Sequence, residues 1–360
     1  MTENRTYKAI HLHIHGPLHI GVINDVQDEM QEFWGSDAIK SALAACALSL
    51  DLVSDVKEFL DAFKVSSAFY FLQHQNSYVQ FFPRPIFPGV IHLGKSDDIT
   101  HRKKAKKIQW IDKGYYEKLL SEGKLQLSDS DKILFEKFLT TKDIELNPKP
   151  YEGEPVYETD DERVSIGPIY TEQGDPYYFR RRYFHSQIGL YFLYEGNDKT
   201  LDETIVPALR LLADEGIGSD RSVGGGWFEF DPSKDIVDLE IQLPKSAIGY
   251  VALGKYCPTR EELTLADLEQ SAYQITRRGG YISSPGTEEL RNKLKRTIYM
   301  MEEGSFLATN DKPIGKCVDL KPDTEDLRKA LPGDAFERMH PVWRDGRPIF
   351  FPANFKFEIL

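Results

Sequence analysis

Tyr7-Lys-Ala-Ile-His-Leu-His-Ile-His15 places Ile10, Leu12 and Ile14 on one side of an extended chain and His11, His13 and His15 on the other. This two-residue period predicts a strand with one buried face. A turn at Gly16-Pro17 leads to Leu18-His-Ile-Gly21. Ser36-Asp37 then reads as an N-cap for a helix over 38–53, with Ile39, Leu43, Ala47 and Leu50 as its buried stripe. Two strands follow, over 67–72 and 78–82, around a polar turn at 74–77. The order β-α-β-β opens a ferredoxin-like domain, the layout also used by RNA-recognition modules.

Further along, Pro83-Arg-Pro-Ile-Phe-Pro88 ends the second of these strands, and helical patterns are predicted at 115–120 and 128–139. Residues 147–176 are polar, acidic and rich in Pro and Gly, which predicts a linker or a long protruding loop. A second β-α-β run begins with a strand over 184–194. Thr200 with Glu203 forms a capping box for a helix to 214, and the next strand is 227–230. Strands near 236–242, 247–253, 272–276, 296–301 and 349–351 complete it, and 340–347 reads as a hairpin turning at Asp345-Gly346. The expectation is an α+β chain of two domains, 1–146 and 177–360, separated by 147–176.

Between that second helix and strand lies Gly216-Ile-Gly-Ser-Asp-Arg-Ser-Val-Gly-Gly-Gly226. Glycines let bare backbone approach a polyanion, and the arginine and serines can finish the contact. A dinucleotide fingerprint needs the opposite order, strand then helix, and a P-loop needs Gly-Lys-Ser/Thr, so neither fits. A phosphate cradle and a mobile hinge remain the two readings.

At 360 residues, with 41% hydrophobic content and 39 Phe plus Tyr, the chain can fill two cores. No apolar run approaches a membrane span and no secretory h-region follows Met1, so a soluble intracellular protein is expected. Cys46, Cys257 and Cys317 lack the spacing of a disulfide framework or zinc site. The net charge of −12 argues against a free-standing nucleic-acid binder. Locally the signs segregate: residues 95–113 hold seven Lys/Arg against three Asp, 177–185 three Arg and no acid, and 276–296 six cations against two acids, while acid gathers at 152–162. A basic groove with acidic outer faces gives this pattern, as does a subunit docking basic partners.

His11, His13 and His15 share a face and H-x-H can hold zinc, but no second segment supplies the remaining ligands. A solvent-facing or RNA-facing histidine row is the alternative. His19 or His185 could serve as general acid-base beside a phosphate loop. In Tyr177-Tyr-Phe-Arg-Arg-Arg-Tyr-Phe-His185 aromatics alternate with guanidiniums, which suits unpaired bases or a packed core. No Ser-His-Asp, Cys-His or carboxylate pair is evident, and no cofactor or metal is expected.

Taken in order, Pro17-Leu-His-Ile-Gly21, Ser36-Asp37, Ser41-Ala-Leu43, Phe82-Pro-Arg-Pro85, Lys103-Lys-Ala-Lys-Lys-Ile108, the glycine loop, Tyr273-Gln-Ile-Thr-Arg-Arg-Gly-Gly280, Glu303-Gly-Ser-Phe306, His340-Pro-Val-Trp343 and Phe351-Pro352 resemble the RAMP superfamily of CRISPR-associated RNA-binding proteins. Within it they resemble the subunit-four family of the Csm complex, the type III-A effector. The resemblance implies two ferredoxin-like RAMP domains, a thumb-like hairpin within 140–176 near Glu162-Arg-Val-Ser-Ile-Gly167, and no nuclease site. It implies a grip on the 5′ handle of the CRISPR RNA, with target RNA nearby, and contact with the large polymerase-like subunit one and backbone subunit three. Under it, amides of Gly216, Gly218, Gly224, Gly225 and Gly226 with Ser219, Arg221 and Ser222 would cradle handle phosphates. His19, Gly21, Ser36 and Lys40 would border the opposite wall, and Arg277 and Arg278 would extend the grip. The rival readings are a repeat-processing endonuclease of the same superfamily, a structural adaptor without an RNA role, and, distantly, a zinc hydrolase.

Overall fold

β1 (Thr2–Ile14) has strand partners on both edges in the computed structural model, which describes residues 1–21, 30–75, 77–94, 99–128, 130–144, 155–165, 175–282, 293–322, 325–330 and 339–357. After it come α1 (Ser36–Ser49), β2 (Phe69–His74), β3 (Ser77–Pro83), the paired strands β4 (Val156–Ser165) and β5 (Asp175–Phe184), then β6 (Ile188–Gly196), α2 (Val206–Glu215), β7 (Phe228–Glu229) and β8 (Ile236–Pro244). Ile10 of β1 is opposite Phe192 of β6 on one edge and Ile236 of β8 on the other. β6 then pairs with β2 and β2 with β3, all antiparallel, so the order is β8-β1-β6-β2-β3. α1 packs on α2, and Ile39, Leu43, Leu209 and Leu212 join Ile10 and Leu12 in one core.

Strands from both sides of the expected division at 146 and 177 thus pair in a single sheet, and that division cuts through it. Side-chain alternation tells a strand which face to bury; it does not name the neighbour, here about 180 residues away. A second antiparallel sheet comprises Gly249–Ala252, Asp267–Ala272, Phe306–Ala308 and Phe350–Ala353, in the order 267–272, 306–308, 249–252, 350–353. Val251, Phe306 and Phe351 from it join the core of the first sheet.

Other local expectations change as well. Residues 128–139 form no helix; Lys132–Leu134 and Phe138–Thr140 are strands on the β3 side of the main sheet. A short apolar run fits either period, and strand pairing decided. Asn197, not Thr200, caps the second-half helix, its side chain accepting from the Thr200 N–H at 2.8 Å, and 201–205 wind as a π-segment before α2. Trp343–Asp345 pairs with Cys317–Asp319 instead of folding into a local hairpin. Of the expected linker, 156–165 and 175–176 belong to the β4–β5 ribbon and Pro155 accepts from the His185 amide; 147–154 and 166–174 lie outside the described residues. Among the described residues no helix is long and apolar enough to cross a membrane.

Candidate nucleic-acid interface

The glycine loop leaves α2 at Gly216, whose N–H still donates to Leu212. It then lies against residues 15–19. Ser219 N–H donates to the His19 carbonyl at 2.9 Å, Gly226 N–H to the Pro17 carbonyl at 2.9 Å, and the His15 and Gly16 amides to the Trp227 carbonyl. Gly218 and Gly226 hold φ of +79° and +66°, and a Cβ on either would strike the carbonyl of His19 or Ile217. These glycines bring backbone close to backbone.

On its other side the same segment meets the ribbon, with Leu18 and Arg182 exchanging both backbone hydrogen bonds at 2.8 Å. Side chains complete the layer. Asp220, at the left-handed φ of +63° that aspartate tolerates, accepts from Arg163 at 2.6 Å and Arg181 at 3.1 Å. These two arginines hold its carboxyl below the ordinary range against the upward push of burial. His19 stacks on Phe179 with centroids 4.2 Å apart, and the Arg163 guanidinium lies 4.5 Å from the same ring. Its Nδ1 donates to the Arg180 carbonyl at 2.6 Å, which leaves Nε2 the acceptor in the neutral ring. Burial lowers its pKa. Loop, segment and ribbon therefore form three adjoining layers.

Residues 245–353 match the family model of the CRISPR Csm4 C-terminal domain. The resemblance is to Csm4. The protein called CRISPR system Cms protein Csm4 from Methanocaldococcus jannaschii is 29% identical over 182 residues, 47% of this chain and 45% of that protein, so the match spans less than half of the relative. Its namesake from Thermococcus onnurineus is 24% identical over 256 residues, 68% of this chain and 76% of the relative. Among solved structures, a chain of the type III-A Csm3-Csm4 subcomplex superposes with a TM-score of 0.61 at 19% identity, covering 96% of this chain and 99% of that one. A chain of the Csm1-Csm4 cassette with cA4 gives 0.57 at 17%, covering 98% and 100%. The expected resemblance to subunit four of the Csm complex is borne out.

The Csm4-like fold sorts the site residues expected from sequence into two groups. Arg221, Ser222 and Arg277 are exposed; Arg221 has only a 3.4 Å contact to Glu215, and Trp227, 40% exposed, stands beside the loop. Gly218, Ser219 and Gly224 share this loop, and a Cβ on Gly224 would meet open space. The amides of Gly216, Ser219, Gly224, Gly225 and Gly226, by contrast, all donate to backbone carbonyls, so these five are already spent within the fold.

Ser36, Lys40 and Arg278 are structural. Ser36 Oγ accepts from the Lys255 amide, and its own N–H donates to Ser67 Oγ. The Lys40 ammonium is buried, donating to the Leu60 and Phe63 carbonyls and to Asp345 at 2.6–2.7 Å. Arg278 grips Asp37 with two bonds of 2.9 Å and donates to Gln31, which in turn donates to the Gly21 carbonyl. Asp37 also accepts from Arg344 at 2.9 Å. Ser36 and Asp37, expected as the helix cap, are thus spent on Ser67, Lys255, Arg278 and Arg344, and the cap position falls to Gly35.

Of the histidine row only His15 is exposed, and His13 is half-buried. His11 is buried, stacked on Tyr78 at 4.0 Å, and burial lowers its pKa to about 4. His13 contacts Asp235 at 3.1 Å and His15 contacts Glu229 at 3.3 Å. Of the two acid-base candidates, His19 belongs to the wall described above, and His185 is buried. The arginines of 177–185 are not bare cations, because the acidic run pairs with them across the ribbon: Arg180 with Asp160, Arg181 with Asp161 and Arg182 with Glu158. Sequence inspection missed Asp220, Arg163 and Gln31. Only Asp220 had a local signal, an aspartate among glycines beside an arginine.

Proposed function

We propose that this chain is a non-catalytic RNA-binding subunit of a type III-A CRISPR Csm complex, holding the 5′ handle of the CRISPR RNA in antiviral defence. It bridges the large polymerase-like subunit one to backbone subunit three, with target RNA alongside. The observation that carries this reading is the layering of the glycine loop on residues 15–21 and the arginine-rich ribbon, which leaves Arg221, Ser222 and Trp227 exposed at one crown. A guanidinium, a hydroxyl and an indole at the edge of close-packed backbone suit a single strand, with phosphates on the cation and a base on the ring. Solved assemblies that pair Csm4 with Csm1 and with Csm3 support the partner assignment.

In the same reading the chain holds two ferredoxin-like units. The first is 1–244, with the ribbon as its thumb-like hairpin inserted before β6; the second is 245–357. Each has the strand order 4-1-3-2 when its four principal strands are numbered along the chain.

Arg221→Ala tests the grip. Complexes reassembled with this chain should lose CRISPR RNA, read by sequencing the bound RNA. Gly225→Val, whose side chain would press within 3 Å of the Ser219 and Asp220 carbonyls, should act likewise. Normal RNA content in both overturns the reading, and cleavage of repeat RNA by the purified chain would favour the endonuclease instead.

A further inference from the structure

We infer that Arg344 and Lys295, gathered with the ion-paired Arg278 around Asp37 where α1 meets the second half of the chain, form a seat for one phosphate group, separate from the glycine loop. Among the described residues Asp37 is the one carboxylate that acts on these three cations. Arg278 is spent, with Nε and one terminal nitrogen on Asp37 and the other on Gln31. Arg344 is not. It is 8% exposed and gives one terminal nitrogen to Asp37, while its Nε is buried without a hydrogen-bond partner among the described residues. A buried guanidinium N–H left unpaired is costly, and a native site that keeps one calls for a water, an ion or a ligand atom to satisfy it.

Lys295 is half-buried and opens the cluster outward. Burial and the neighbouring Arg344 push its amine down to about 7. The adjoining cations do not share the deficit, because Lys255 has Glu303 at 2.9 Å and Lys40 has Asp345 at 2.6 Å. Two guanidiniums and an ammonium against one carboxylate leave room in charge for a dianion, and phosphate oxygens match the Arg344 Nε donor. That phosphate belongs either to an RNA backbone or to a free phosphate or nucleotide. Only the first source rests on the function proposed above.

The test uses the full chain and inorganic phosphate, with thermal unfolding as readout and chloride at matched ionic strength as control. Phosphate should raise the Tm saturably in the parent chain and not in Lys295→Met, which removes a crowded cation and should fold at least as well. Equal phosphate shifts in both proteins, or none in either, overturn the seat. A short single-stranded RNA then separates the sources. If the backbone occupies the seat, Lys295→Met weakens RNA binding, lowers its salt slope by about one phosphate contact, and phosphate competes with the RNA. If free phosphate occupies it, RNA binding is unchanged while the phosphate response is lost. Should Arg221→Ala lose RNA while Lys295→Met changes neither response, the seat fails and the handle reading stands.

Discussion

Asp37 decides at the scale of one residue how α1 is tied to Arg278 and Arg344 in the second half of the chain. Burial alone would raise its pKa, but Arg278 and Arg344 hold it down at about 2, against an ordinary 3.8. A carboxyl depressed by folding contributes stability above its unfolded value and loses it as pH falls through the folded one. The chain should therefore weaken between about pH 4 and pH 2, and Asp37→Asn should erase that acid-dependent part, as urea titrations at stepped pH would show. Asp37→Asn also strands two buried guanidiniums, so its midpoint at neutral pH should fall by an amount equivalent to about 3–5 kcal/mol. Lys40 gives a contrasting prediction, because its charge is used wholly inside the protein. Lys40→Met should cost comparable stability, yet the folded fraction should bind RNA as tightly as the parent in a filter-binding assay.

Among the elements, the loop and the ribbon divide the labour. The loop's glycines serve contact with residues 15–19, and Gly218→Ala places a methyl against the His19 carbonyl at a φ of +79°. Strain of this kind costs about 1–3 kcal/mol, and hydrogen exchange should show the Ser219 amide losing protection before the strands do. The ribbon shows why charge clusters in a sequence mislead. Residues 158–161 and 180–182 are of opposite sign and twenty or so residues apart, and antiparallel register sets Asp160 opposite Arg180 and Glu158 opposite Arg182. Alternation made β1, β2 and β3 legible, and the glycine pattern pointed to the loop. Register across the ribbon pairs residues some twenty apart and leaves no such local trace, so the arginines read as bare.

For the whole molecule, the first sheet needs both ends of residues 1–244. β1 has all its partners within 188–244, and α1 packs on α2. A fragment ending at 187 lacks every strand that borders β1 and should show little cooperative unfolding by circular dichroism; co-expression with 188–360 should restore it. Sequence reading reached the α+β class and most strands because hydrophobic period is local. It missed the boundary because pairing over that distance is selected by the folded core, and it assigned Lys40 and Arg278 to RNA because a cation's counter-ion, Asp345 or Asp37, lies hundreds of positions away.

That β1 comes first and its neighbours last has a consequence during synthesis. Its Ile10-Leu12-Ile14 stripe leaves the ribosome some 174 residues ahead of β6, a wait on the order of ten seconds or more at ordinary elongation rates. Throughout it, a nascent strand with both edges bare invites pairing with another chain. A nascent β1 should therefore be a substrate for ribosome-associated chaperones that shield short apolar segments.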